Sequence, residues 1–104
     1  EAEIVAADEA GDIERVNRLE CHYWLDGPDQ PEGRVGGEAR ELFLAMNGRA
    51  LAAAEVGRWQ PPPSAWTRLG EIAVPTLVVT GALDERMVLA IGQRLAADIP
   101  GALP

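Results

Sequence analysis

A single carboxylate, Asp84, stands where an α/β enzyme often keeps a functional acid. The run I-A-V-P-T-L-V-V-T-G-A-L-D, residues 72–84, is apolar and β-branched up to its glycine, and a segment of helical periodicity follows the aspartate. This order predicts a strand, a turn, an acid and a helix. Because catalytic groups in open α/β sheets gather at the carboxyl ends of strands, Asp84 could orient a catalytic histidine. Its other interpretation is an ordinary helix N-cap.

The other side chains that could take part in catalysis lack a suitable context. His22 is the only histidine, and it lies on a predicted helix and not in the sheet core, where a triad base is expected. Cys21 and Ser64 are candidate nucleophiles by residue type. Neither stands in a G-x-S-x-G turn, which exposes a nucleophile. We therefore favour structural or surface roles for all three, and the sequence predicts no metal site and no cofactor.

The charge pattern narrows the possible partners. The 104 residues carry 17 acids and nine basic residues, all of them arginine, and the net charge is −8. Residues 1–60 hold 13 acids and 6 arginines, a balance of −7, whereas residues 61–104 hold 4 acids and 3 arginines, a balance of −1. Binding to nucleic acid or to an anionic membrane surface needs clustered Lys or Arg. The sequence therefore predicts neither nucleic acid nor membrane as a partner.

The cysteine count and the ends of the chain bear on its location and completeness. One cysteine cannot form an intrachain disulfide, no apolar run approaches the ~18 residues of a membrane span, and no leader opens the chain. We therefore expect a cytoplasmic protein. The chain starts at Glu1 within an Ala- and Glu-rich helical pattern, and residues 99–104 look like the lead-in to another element. We expect a fragment of a longer protein.

Helices that could cover a site are predicted in the first part of the chain. Residues 1–10 predict a first helix, and Asp12 predicts the N-cap of a second, which ends before the breaker D-G-P at residues 26–28. Apolar spacing predicts a third, amphipathic helix over about residues 38–56. Three consecutive prolines, residues 61–63, mark the best boundary in the chain.

One strand and one helix are predicted after this boundary. Residues 61–71 form a linker, residues 74–80 have the nearly continuous apolar character of a buried parallel-type strand, and about residues 85–98 form a helix. These elements favour the α/β fold class. A buried strand needs neighbours on both edges, and the chain does not obviously supply them. We therefore expect part of the core to be missing.

The segment P-T-L-V-V-T-G-A-L-D, a helix, and then L-A-A-D-I-P-G-A resembles the late core of the α/β-hydrolase fold superfamily. There the pattern is P-T-L-v-v-x-G-x-x-D, a helix, x-I-P-x-A, a strand and a Gly-His pair. The stretches A-G-D-I-E-R-V and W-L-D-G-P, with the helix over residues 38–56, resemble the helical cap that precedes that core segment. The resemblance covers essentially the whole chain. It implies a partial α/β-hydrolase fold, with a helical cap or lid over residues 1–60 and a partial core over residues 61–104.

This resemblance also implies a function. Asp84 matches the acid of a Ser-His-Asp triad that acts on an ester, lactone or similar small substrate without a cofactor. The nucleophile of the family precedes the cap and its histidine follows I-P-G-A, so the chain covers neither and is expected to be inactive without the rest of the hydrolase core. Trp24, Phe43, Met46 and Trp59 could line an apolar substrate wall.

Two alternatives remain open. The chain could be a non-catalytic helical interaction module or a degenerate remnant. It could also belong to an acyltransferase or haloperoxidase of the same fold, because a fold does not fix a function. A G-x-S-x-G motif encoded upstream and a Gly-His pair downstream would distinguish an enzyme from a remnant.

Overall fold

The computed structural model describes residues 1–54 and 56–104, and the chain divides into two compact units, Glu1–Val56 and Gly57–Pro104. Helices hold about half of the chain. The α-helices are α1 (Ala2–Glu9), α2 (Ile13–Cys21), α3 (Gly37–Leu51) and α4 (Arg86–Asp98), with a π-helical turn at His22–Asp26 and a 3-10 turn at Leu69–Glu71.

The predicted α/β class is wrong for this chain. No residue within 1–54 or 56–104 belongs to a β-strand or a sheet, and the chain is a small helical protein. The side chains of the predicted buried strand are not buried: Val74 and Leu77 are each 66% exposed, and Val79 is 79% exposed. An apolar, β-branched run predicts a buried strand only where other strands are available to cover it.

Among the described residues, the predicted strand forms one parallel bridge, which joins Leu77 to Leu103. The backbone N–H of Val78 donates to the carbonyl of Leu103 at 2.8 Å, and the N–H of Leu103 donates to the carbonyl of Thr76 at 3.0 Å. These two bonds bring the segments on either side of α4 together in parallel. A bridge at one position does not extend into a ladder. The predicted strand therefore does not form, although the sequence has the apolar pattern of one.

In the first unit, α2 packs against both α1 and α3. A glycine between the first two helices, Gly11, has a φ of +69°, which favours glycine and allows a tight connection. Asp12 then caps α2 as the sequence predicts, because its Oδ1 accepts a hydrogen bond from the N–H of Arg15 at 3.0 Å. Ala7 and Val16 are buried. Small apolar side chains therefore form the core of this helix pair.

A π-helical turn, His22–Asp26, follows α2 and includes Asp26, the first residue of the predicted breaker. The N–H of Gly27 donates to the carbonyl of His22 at 3.0 Å, and the φ of Gly27 is +101°. Single π turns of this kind are rare and are often found at functional sites. The turn ends at Asp26, whose side chain is fully buried.

The third helix is shorter than the pattern predicts. It covers Gly37–Leu51, whereas the prediction reaches residue 56, and Glu55 lies outside the described residues. Asn47 and Gly48, a pair that commonly breaks helices, lie inside α3. The side chain of Asn47 is tied to α2, and this tertiary contact outweighs the weak helix propensity of the pair.

In the second unit, α4 packs on the 3-10 turn and on the segment that precedes Gly81. Leu69, Gly92 and Ile99 are the buried residues here. Gly92 lies so close to Thr80 that a Cβ atom at position 92 would collide with the Cγ2 methyl of the threonine. This close approach holds the end of the bridged segment against α4, and it fixes the position of the turn that follows.

Candidate functional site

Asp84 lies in a tight turn directly before α4. Its backbone N–H donates to the carbonyl of Gly81 at 3.1 Å, which closes the turn. The turn starts at Gly81, after the segment that is bridged to Leu103. The helix α4 begins at Arg86, two residues after Asp84. The order of bridged segment, turn, acid and helix therefore matches the order that the sequence predicts, although no strand forms.

The carboxylate of Asp84 is half-buried, and one of its oxygens is uncommitted. Oδ1 accepts a hydrogen bond from the N–H of Glu85 at 3.0 Å, whereas Oδ2 accepts none from the part of the chain that the structure describes. The N-cap of α4 is Glu85, whose Oε2 accepts from the N–H of Met87 at 2.6 Å. The interpretation of Asp84 as the N-cap is therefore wrong. A held carboxylate with a free oxygen can accept an imidazole N–H.

The first unit contains an open apolar groove, here called the α3 groove, with a volume of about 520 Å³. It is lined by Leu25, Ala39, Leu42, Phe43, Met46, Asn47 and Ala50. Phe43 and Met46, which the sequence predicts as part of a substrate wall, line it together because a spacing of three residues places them on one helix face. None of the lining residues is charged. The groove has the size and the character of a site for a small apolar ligand.

The two tryptophans predicted for the same wall do not line the α3 groove. Trp24 is exposed, and its ring packs edge-on against Tyr23 with 4.7 Å between the ring centres. Trp59 belongs to the second unit and is 80% exposed. Of the four predicted wall residues, the structure brings together Phe43 and Met46.

The other candidate catalytic residues, Cys21, His22 and Ser64, are either buried or engaged in local hydrogen bonds. Cys21 is fully buried, and this burial raises the pKa of its thiol although nearby Arg40 opposes the shift, so the reactive thiolate is disfavoured. The Nε2 of His22 lies 2.7 Å from the carbonyl oxygen of Gln30. Since a carbonyl only accepts, Nε2 carries the hydrogen. The Oγ of Ser64 accepts from the N–H of Trp66 at 3.4 Å, which fits a local turn.

A buried ion pair, Asp26 with Arg40, is the strongest polar feature that the sequence does not predict. Asp26 accepts hydrogen bonds from the N–H of Gly33 at 2.9 Å, from the N–H of Val35 at 2.8 Å and from one guanidinium nitrogen of Arg40 at 2.9 and 3.1 Å. Arg34 donates to the carbonyl of Asp26 at 2.6 Å. These bonds tie the loop of residues 27–36 to the end of the π turn and the start of α3.

The electrostatics of Asp26 show how firmly it is held. Burial of the carboxylate opposes ionisation, but the hydrogen bonds from Val35, Arg40 and Gly33 outweigh it and lower the pKa of Asp26 to about 2. The same pair raises the pKa of the Arg40 guanidinium. The sequence offers no local signal for this role, because an aspartate before Gly-Pro is typical of a turn and its partners lie 7 to 14 residues away.

Comparison with family models, with curated proteins and with solved structures gives no match for this chain. The likeness to the α/β-hydrolase superfamily accordingly depends on the quoted residues alone. Among the described residues, no helix is long and apolar enough to cross a membrane.

Proposed function

We propose that the chain supplies the orienting acid and part of the substrate wall of a hydrolase that acts on an ester, lactone or similar small substrate. The observation that carries this proposal is the carboxylate of Asp84, whose Oδ1 is held in the turn before α4 and whose Oδ2 accepts no hydrogen bond from residues 1–54 or 56–104. The serine nucleophile and the histidine base would come from residues outside this sequence. The 104-residue chain would therefore be inactive alone.

In this proposal Asp84 orients the catalytic histidine and stabilises the positive charge that forms on its ring. Its free Oδ2 would accept the N–H of an imidazole, and this bond would fix the tautomer in which the other ring nitrogen takes the proton of the serine hydroxyl. The serine oxygen then attacks the substrate carbonyl, and the ester C–O bond breaks as the proton passes from the imidazolium to the leaving alcohol. Water then releases the acyl group from the serine, with the same histidine as base. The aspartate stays ionised throughout and stabilises the imidazolium.

The uncharged lining of the α3 groove suits a neutral, apolar part of the substrate, such as an acyl or alkyl group. Its lining consists of aliphatic and aromatic side chains and one amide, that of Asn47. The Nδ2 of Asn47 is already engaged with Asn17 and Glu20. A charged substrate group would lose its hydration there without gaining a partner. A cytoplasmic location fits the single cysteine, since no disulfide is possible within the chain.

Translation of the DNA on both sides of the coding segment tests this proposal directly. A G-x-S-x-G motif upstream and a Gly-His pair within ~30 residues downstream support the hydrolase. Stop codons at both ends would contradict it. An aryl-ester assay on the 104-residue chain gives a second check, because turnover that Asp84→Ala abolishes would contradict the expected inactivity.

The second candidate is a helical interaction module without chemistry. It is favoured by the exposed apolar side chains Leu42 and Met46, which lie one turn apart on α3. Exposed apolar residues aligned on a helix are typical of a surface that binds another protein. The same translation experiment separates the two candidates, because the module requires neither flanking motif.

A further inference from the structure

Two arginines and the only histidine lie on one face of α2 and the π-helical turn. Arg15, Arg18 and His22 are separated by three and four residues, so they occupy successive turns of the same side. They line one pocket of about 230 Å³ together with Leu19 and Glu32. The face thus presents several hydrogen-bond donors beside one apolar side chain, in a space that holds a small group.

The guanidinium groups of Arg15 and Arg18 are uncommitted, although acids outnumber arginines 13 to 6 in residues 1–60. Arg34 and Arg40 are both engaged around Asp26. By contrast, neither Arg15 nor Arg18 has a side-chain hydrogen bond or ion pair with any residue in 1–54 or 56–104. Two neighbouring positive charges without an intramolecular partner repel each other, and a bound anion would remove that cost.

The ring of His22 is held in place at the edge of this pocket. Its Nε2–H donates to the carbonyl of Gln30 at 2.7 Å, and the loop that carries Gln30 is itself fixed by Asp26. The carboxylate of Glu32 opposes an anion, and its Oε1 lies 4.0 Å from a guanidinium nitrogen of Arg40. The three charged side chains that line the pocket, Arg15, Arg18 and Glu32, sum to +1.

We propose that Arg15 and Arg18, beside the ring of His22, form a binding site for a small phosphate monoester. A phosphate carries a charge of about −1.5 to −2 at pH 7 and three strong acceptor oxygens, and arginine forks match it in pairs. The Glu32 carboxylate repels any bound anion. A monocarboxylate has a single negative charge to attract the two arginines, so we expect it to bind more weakly than a phosphate. The apolar side chain of Leu19 suits the carbon group that the ester carries. The site belongs to the first unit, whereas Asp84 belongs to the second, and the proposal does not depend on the proposed hydrolase.

The test is a nitrogen-15 NMR titration of the 104-residue chain with phenyl phosphate at constant ionic strength. We expect saturable shifts centred on the amides of residues 15–22, weaker binding of inorganic phosphate and weaker binding still of benzoate. Arg18→Gln should weaken binding by about tenfold, as loss of a charge-assisted hydrogen bond does. Equal affinity for inorganic phosphate would overturn the assignment to a monoester, and the absence of saturable shifts would overturn the site.

Matched controls separate a defined site from general charge. Arg49→Gln removes one exposed arginine of α3 that does not line the pocket, and it should leave the affinity unchanged. Glu32→Gln should tighten binding, whereas Glu38→Gln, with the same change of charge, should not. If Arg49→Gln weakens binding as much as Arg18→Gln, the attraction is diffuse and the proposed site is wrong. Retained dispersion of each spectrum checks that the variant is folded.

Discussion

Two aspartates at the ends of turns have opposite surroundings in this chain. Asp26 is fully buried, and both of its carboxylate oxygens accept hydrogen bonds. Asp84 is half-buried, and Oδ1 is the one carboxylate oxygen that accepts a hydrogen bond from the described residues. A saturated carboxylate contributes to stability and has no capacity left for a further partner. The contrast supports a structural role for Asp26 and a positioning role for Asp84.

Asp26→Asn should strongly destabilise the first unit. The substitution removes the carboxylate that contacts the largely buried Arg40 guanidinium directly and leaves it, among the described residues, only Glu32 as a counter-ion, at 4.0 Å. It also replaces a two-oxygen acceptor by an amide, so we expect the unfolding free energy to fall by about 3 kcal/mol. Urea denaturation followed by circular dichroism measures the change. Asp29→Asn, in the exposed part of the same loop, is the control and should change little. Equal losses in both variants would contradict the assigned role.

The low pKa of Asp26 also sets a pH dependence. Its pKa is about 2 in the folded protein and 3.8 ordinarily, so the unfolded chain binds the proton more readily. The resulting stabilisation is fully present above about pH 4 and is lost as the pH falls toward 2. The unfolding free energy measured across this window should decline more steeply for the native chain than for Asp26→Asn. Identical slopes would show that Asp26 is not the group responsible.

Among the elements, α2 and α3 are joined by a chain of polar side chains. The Nδ2 of Asn17 donates to the carbonyl of Leu44 at 3.0 Å, and the Nδ2 of Asn47 donates to the Oδ1 of Asn17 at 3.1 Å and to Glu20 at 2.6 Å. Gly48 leaves room for this network, because a Cβ atom there would lie 3.0 Å from the amide nitrogen of Asn17. Helix registry in the first unit is therefore fixed by directional bonds as well as by apolar packing.

Asn47→Ala should loosen α3 from α2. It leaves the half-buried Asn17 and Glu20 acceptors without their donor, and we expect a loss of about 1–3 kcal/mol in unfolding free energy. Thermal melts compared at equal protein concentration provide the measurement. Arg49→Ala, an exposed change on the same helix, serves as the control. A melting temperature for Asn47→Ala that matches this control would indicate that the network contributes nothing.

Gly92→Ala should destabilise the second unit although alanine is the better helix former. The added Cβ collides with the Cγ2 of Thr80, and overpacking of this kind costs about 1–3 kcal/mol. This cost exceeds the gain of about 1 kcal/mol in helix propensity. Thr80→Ser removes the methyl and should restore stability in the double variant. Gly70→Ala, with open space around its Cβ position, is the control; a stabilised Gly92→Ala would refute the close contact.

The elements differ in how well their sequences predict them. Asp12, followed by apolar residues at three- and four-residue steps, predicts α2 and its N-cap. The same apolar spacing predicts the bounds of α4 to within a residue or two. These signals are local. Residues 74–80 also have a strong pattern, but a strand depends on partners that lie elsewhere in the sequence. Within the part of the chain that the structure describes, Leu103 is the single bridge partner. The contacts that hold the loop to Asp26 are also distant in sequence, and for that reason the sequence does not predict them.

For the whole chain, the acidity is concentrated in residues 1–60, whereas exposed apolar side chains occur in both units. The charge balance is −7 over residues 1–60 and −1 over residues 61–104, and the nearly neutral part carries exposed Val74, Leu77 and Val79. An apolar segment with a single bridged neighbour is a site for association. The part of the chain that the structure describes leaves these three apolar side chains uncovered.

The central claim is that Asp84 orients a catalytic histidine, and the kinetics of the full reading frame that contains this sequence test it most directly. With an aryl ester as substrate, Asp84→Asn should lower kcat by about 10⁴-fold, as loss of the orienting carboxylate does in a serine triad. Asp98→Asn, the same change at the exposed end of α4, should leave kcat unchanged. If Asp84→Asn and Asp98→Asn retain equal activity, or if the full reading frame has no esterase activity, the account is contradicted.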